Sequence, residues 1–237
     1  MLVGQLYGRL ELSGELGETD LTAWFNGNNY AGGLVGEMIG GATIEAGDNI
    51  INISQTDVET ECDADSDKFT TEFLGGIVGR VSGSGDVIIS SKIYVNFQGT
   101  VGSDGAIVIS ANNFGGAVGI VESGAGLRIN DTLGLQINGA KVQFVYNKAA
   151  TSFYGLIVGK QLGDITVTSF NFTPEGTETI SSEPEGESEA FSVSVVPSEE
   201  ETGEYVEDSN KFGVGALVGY QGGNLIIGGY EAPLIQL

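Results

Sequence analysis

The sequence contains no histidine, one cysteine, four prolines and only nine lysines and arginines. Each shortage removes a class of explanation. Without histidine, the usual zinc sites and every histidine-dependent nucleophile system are excluded. The single cysteine, Cys62, allows no disulfide within the chain. Nine basic residues stand against 32 acidic ones, for a formal charge of −23. Such a charge repels nucleic acid and anionic lipid, so neither is expected as a partner. Nowhere is there an apolar run of the roughly 18 residues that a membrane-crossing helix needs, so no membrane insertion is expected. The opening "MLVGQLYGRLELSG" has neither the basic start nor the apolar stretch of a secretory signal. Scarce proline and the lack of a G-X-Y triplet exclude a collagen-like chain, although 39 residues are glycine.

What is present in abundance is a repeat. "AGGLVG" stands at 31–36, "LGGIVG" at 74–79 and "FGGAVG" at 114–119, with the variants "YGLIVG" at 154–159 and "VGALVG" at 214–219. A truncated "LVG" ends at Gly4. Aligned on their last glycines (Gly4, Gly36, Gly79, Gly119, Gly159, Gly219), the copies lie 32, 43, 40, 40 and 60 residues apart. The unit is therefore about forty residues long, in the range of stacked repeat architectures.

After each anchor comes a short spacer and an alternating apolar run, such as "GATIEAG" at 41–47, "GDVIISS" at 85–91 and "GDITVTSF" at 163–170. A second run follows, such as "NIINIS" at 49–54, "KIYVNF" at 92–97 or "KVQFVY" at 141–146. Period-two alternation, β-branched and aromatic content and polar boundaries predict strands. No helical stripe is present. The chain reads as one all-β repeat domain over 1–237, a parallel β-helix or β-solenoid in which each unit supplies two coils of about twenty residues. The alternative is a six-bladed β-propeller. Uneven spacing and the absence of a Trp-Asp blade signature favour the solenoid. In the solenoid reading the apolar pairs Leu34/Val35, Ile77/Val78 and Ala117/Val118 face the interior. The flanking glycines supply positive φ at corners and close approach between coils.

These residues carry a family resemblance. "GGLVG", a glycine-containing spacer and an "IxI" strand resemble the GLUG motif, named for its G-L-[any residue]-G core. That motif occurs in large bacterial and some protist surface proteins, adhesins among them. The copies at 31–36, 74–79, 114–119, 154–159 and 214–219 cover most of the chain. Gly155 is the only glycine before "LIVG", and "VGALVG" shifts its apolar pair. The resemblance implies a cell-surface or extracellular repeat protein and carries over no enzymatic activity.

Two acidic stretches interrupt the pattern. The larger, 174–208, holds twelve acidic residues, no Lys or Arg, and three of the four prolines. It reads as a solvated insertion that explains the 60-residue spacing, with a cation-binding or partner-binding arm as the alternative and "AFSVSVV" (190–196) as a small hairpin on the rod. In the smaller, 57–73, Asp63, Asp65 and Asp67 alternate like the first ligands of a calcium loop. Lys68 and Leu74 replace the glycine and the final glutamate of an EF-hand. The two readings of this stretch are a looser calcium site and a charged turn. No other cofactor is expected.

Three N-glycosylation matches (Asn52, Asn130, Asn171) are near chance frequency, and the glycine-rich stretch from Ser82 to Val87 lacks the lysine of a phosphate loop. Carbohydrate-degrading β-helices cluster carboxylates with basic residues along one groove. Here Arg80 directly follows its anchor glycine whereas Arg128 lies nine residues after Gly119, so the two share no phase. The threonines form no common ladder of the kind that ice binding requires. The reading is thus a non-catalytic structural or adhesive module, with a carbohydrate-binding or polysaccharide-degrading β-helix as its alternative. Its partners would be neighbouring repeats, copies of itself, or a cell-surface glycan or protein. Neither terminus reads as a polar cap, which suggests either a piece of a longer array or end-to-end stacking into filaments.

Overall fold

The structure is a computed structural model and describes residues 2–12, 19–24, 30–57, 71–97, 107–138, 141–146, 151–175, 192–197 and 212–231. All regular structure among these residues is strand, grouped by repeat. The first repeat supplies β1 (Val3–Leu6), β2 (Arg9–Glu11) and β3 (Thr19–Trp24). The second supplies β4 (Tyr30–Gly32), β5 (Val35–Ile39) and β6 (Thr43–Asp57), and the third β7 (Thr71–Gly75), β8 (Val78–Ser82) and β9 (Gly85–Phe97). The fourth holds β10 (Ile107–Gly115), β11 (Val118–Val121) and β12 (Ala125–Asn138). The fifth comprises β13 (Lys141–Tyr146), β14 (Ser152–Gly155), β15 (Val158–Gln161) and β16 (Asp164–Glu175). The sixth comprises β17 (Ser192–Pro197), β18 (Phe212–Gly215), β19 (Val218–Gln221) and β20 (Leu225–Glu231).

Strands in equivalent places pair from repeat to repeat, and every described pair is parallel. Three sheets result. An anchor sheet runs β1-β5-β8-β11-β15-β19, and a long-strand sheet runs β2-β6-β9-β12-β16-β20, with β3 also on β6. An entry sheet joins β4, β7, β10, β14 and β18, with β13 and β17 on the first half of β10. This arrangement is compatible with a β-helix and does not fit a propeller, whose blades would pair strands within a repeat.

One expectation is corrected here. Each repeat supplies one coil, not two, so the anchor sheet has six rungs. At about 4.8 Å per step, six rungs span about 24 Å rather than the length of a twelve-coil rod. The two apolar runs of a repeat are continuous in β6, β9 and β12. A register shift separates them between Glu45 and Ile50 in β6, and between Ile129 and Thr132 in β12.

The core is built from ladders. Val3, Val35, Val78, Val118, Val158 and Val218, one from each anchor, lie in register across the anchor sheet. Leu10, Ile44, Ile89, Ile129, Val167 and Ile227 do the same on the long-strand sheet. In β9, Val87, Ile89, Ser91, Ile93, Val95 and Phe97 are buried while the residues between them face outward, the period-two signature that the sequence carries. Leu34, Ile77 and Ala117 are fully buried, as the hexapeptide pattern predicts.

The glycines of the hexapeptide act through close approach alone. A Cβ on Gly75 would lie 1.9 Å from Val78 O and 2.7 Å from Gly119 N, and one on Gly76 2.0 Å from Gly116 O. The hexapeptide is thus a sharp arc from entry sheet to anchor sheet in which backbone meets backbone, with no room for a side chain at Gly32, Gly75, Gly115, Gly155 and Gly215. Positive φ instead falls on glycines outside the arc: Gly41, Gly83 and Gly124 in the spacers, Gly85 at the start of β9, and Gly47 inside β6.

Of the segment 190–196, expected as a hairpin, the described residues 192–196 lie in β17, which pairs in parallel with β13, Val193 beside Val142 and Val195 beside Phe144. Part of the acidic insertion is therefore a rung of the stack. Among the described residues no helix is long and apolar enough to cross a membrane.

Candidate functional site

Two polar groups interrupt the ladders. The first surrounds Arg80 on β8, in the column that directly follows the anchor glycines: Gln5, Glu37, Arg80, Ile120, Lys160 and Tyr220 lie in register. Arg80 Nη1 donates to Tyr30 Oη at 2.8 Å, Nη2 pairs with Glu122, and Nε lies 3.4 Å from Glu37 Oε1. The guanidinium carbon sits 4.6 Å from the centre of the Tyr30 ring, which stacks on Phe73. Glu37, buried, also accepts from Ser82 Oγ at 2.6 Å and Gln5 Nε2 at 2.8 Å. The knot links four successive coils and leaves each carboxylate of Glu37 and Glu122 matched by a cation or a donor.

Burial pushes the Tyr30 hydroxyl above its ordinary pKa of 10.0. Arg80 opposes the shift, and the Glu72, Glu122 and Glu37 carboxylates add to it. A pKa raised in the folded chain means that the contribution of the protonated phenol to stability is whole below the unfolded value of 10.0. It is lost as pH rises through the folded value. The difference between ultraviolet titrations of the wild type and Tyr30→Phe is expected to show a phenol ionising above pH 10.0.

The second group lines a groove of about 430 Å³ on the long-strand sheet, where Asp86, Arg128, Asp164, Thr166 and Asn224 reach solvent. Arg128 Nε donates to Asp86 Oδ2, and Asp164 Oδ1 accepts from the backbone and side-chain nitrogens of Asn224 at 2.9 and 3.0 Å. Gly126 lies in register between Asp86 and Asp164, which places the two aspartates two rungs apart, about 9.6 Å along the stack. Each is engaged by a residue of the neighbouring coil. Arg9 repeats the scheme at the other end, pairing with Glu45 at 2.6 Å.

Buried amides complete the polar inventory. Asn113 Nδ2 donates to Glu72 O and its Oδ1 accepts from Phe153 N, tying three coils together. Gln161, with no exposed surface, donates from Nε2 to Gly163 O at 3.0 Å and to Asn224 O at 2.7 Å.

Asp63, Asp65 and Asp67, the candidate calcium ligands, lie outside the described residues, as does Cys62. Arg80 and Arg128 stand on different sheets, as their unequal phases imply. Sequence reasoning missed Tyr30, Glu37 and Glu122 as partners of Arg80. Glu37 had a signal, since it occupies the same column after its anchor glycine. Ser82 to Val87 runs from the end of β8 through a bend at Gly83 and Ser84, with φ of 82° at Gly83, into the start of β9, where Gly85 has a φ of 94°. No family model, curated protein or solved structure matches the chain.

Proposed function

We propose that the chain is a non-catalytic structural or adhesive module of a cell-surface or extracellular protein, of the GLUG repeat type. The observation that carries this reading is where the described arginines point. Arg9, Arg80 and Arg128 each pair with a carboxylate one coil away: Glu45 for Arg9, Glu37 and Glu122 for Arg80, and Asp86 for Arg128. Charges that hold coils together are not free to hold a substrate in two protonation states. The β-solenoid built of GGLVG units, the excess of acid and the resemblance of the hexapeptides support the same assignment. An adhesive contact with a glycan would use the groove, where Arg128, Asp164 and Asn224 offer both donors and acceptors.

A panel of neutral and acidic glycans tests the reading. The expected result is retention of the chain on one or more glycans without release of reducing ends. Arg128→Ala is expected to weaken retention while the circular dichroism spectrum stays unchanged. Reducing ends released by the wild type but not by Asp86→Asn would replace this reading with the polysaccharide-degrading one.

A further inference from the structure

The last described coil is an incomplete version of the one before it. At each arc the amides of one coil donate to a carbonyl of the next. Leu34 and Val35 donate to Ile77 O, Ile77 and Val78 to Ala117 O, Ala117 and Val118 to Ile157 O, and Ile157 and Val158 to Leu217 O. The direction never reverses. The C-terminal edge of the arc column therefore presents the amides of Leu217 and Val218. At the opposite edge Leu2 and Val3 already donate to Leu34 O, which leaves carbonyls there.

A side chain repeats the pattern. Gln161 bonds its own coil at Gly163 O and the next coil at Asn224 O. Gln221, in register with it, makes the first of these bonds, to Gly223 O at 3.2 Å. Its second has no partner among the described residues. No described strand pairs with the outer edge of β18, β19 or β20. Val214, Leu217, Val218, Leu225 and Ile227 are only partly covered there. On the first coil, Leu2 and Tyr7 are 51% and 68% exposed.

We infer that the outer edge of β19 and β20 takes β1 and β2 of a second copy, head to tail and in parallel register. The donor edge of one copy meets the carbonyl edge of the other at the same arc. The ladders continue across the junction, Val218 onto Val3 and Ile226 onto Arg9. A contact between unlike faces that does not close on itself repeats into a filament, each copy adding six rungs, or about 29 Å. The inference rests on the structural reading of the chain and names its partner. Its failure would leave that reading, and the glycan test, untouched.

The test uses the whole chain. By sedimentation, mean mass is expected to rise with concentration. Gln221→Lys, which sets a charge on the C-terminal edge, is expected to raise the concentration for half-assembly at least about tenfold. Thr168→Lys, on the exposed face of β16, is expected to leave it unchanged. Circular dichroism checks that both variants fold. In a Cys62→Ser background, Arg9→Cys and Ile226→Cys chains are expected to form a disulfide when mixed and not when alone. Adjacent parallel rungs hold their Cα atoms about 4.8 Å apart, within disulfide reach. A monomer at every concentration overturns the inference, as does linkage of either cysteine variant to itself. Slow amide exchange at Leu217 and Val218 in the monomer would also overturn it, because the chain's own remaining residues would then cover the edge.

Discussion

Gly115→Ala is expected to destabilise the protein by about 3 kcal/mol or more, and Gly115→Val to unfold the middle of the stack. The alanine methyl would lie 1.9 Å from Val118 O and 2.7 Å from Gly159 N, so neither a rotamer change nor a side-chain shift relieves it. The entry and anchor sheets would have to separate, and with them the ladder at Val118 and the amide bonds to Ile157 O. Two other glycines calibrate the effect. Gly8, with nothing within 4 Å of its Cβ position, is expected to accept alanine within about 0.5 kcal/mol. Gly41, which also has open space but a φ of 82°, is expected to lose about 1 kcal/mol through backbone strain alone. Urea denaturation followed by circular dichroism gives all three values. A Gly115→Ala protein as stable as Gly8→Ala would mean that the sheets are not in contact through their glycines.

Arg80→Met is expected to cost about 2–3 kcal/mol, below the 3–5 kcal/mol typical of a fully buried pair because the Arg80 and Glu122 side chains retain 24% and 33% of their exposure. The loss comes mainly from Glu37, which is 9% exposed and would keep only its neutral donors Ser82 and Gln5. In the double variant Arg80→Met with Glu37→Gln, about half of that cost is expected to return, since the uncompensated charge is gone. Arg80→Lys keeps the charge but lacks the fork that reaches Tyr30, Glu37 and Glu122 together, so it is expected to fall between wild type and Arg80→Met. By contrast, Arg128→Ala breaks a pair whose side chains are 55% and 40% exposed and is expected to change stability by less than about 0.5 kcal/mol. Equal losses at Arg80 and Arg128 in urea denaturation would show that burial does not distinguish the two pairs.

Much of this architecture is legible in the sequence because its physics is local and periodic. Aligning the anchors on their last glycines places Val35, Val78, Val118, Val158 and Val218 in one column, and the structure stacks them in that order. The expectation of two coils per repeat fails at the junction of the runs 41–47 and 49–54. Gly47 does have a φ of 59°, but it marks an irregularity inside β6, where the pairing with β9 shifts register and the strand goes on. The next repeat held the clue. "GDVIISSKIYVNF" alternates without a break through the same place and forms the single strand β9. The Arg80 knot was half legible, since Glu37 shares its column. Tyr30 belongs to another sheet, and only the arc brings that sheet alongside. The second bond of Gln161 depends on a carbonyl 63 residues away, beyond any local pattern.

One coil per repeat makes length a stepwise inheritance. A gene duplication or deletion of one unit adds or removes about 4.8 Å of body, and the new neighbours meet the same valine, the same arc and the same carbonyls as the old ones. Unequal recombination between near-identical hexapeptides can therefore tune reach without redesigning any interior, much as a chain is lengthened by a link.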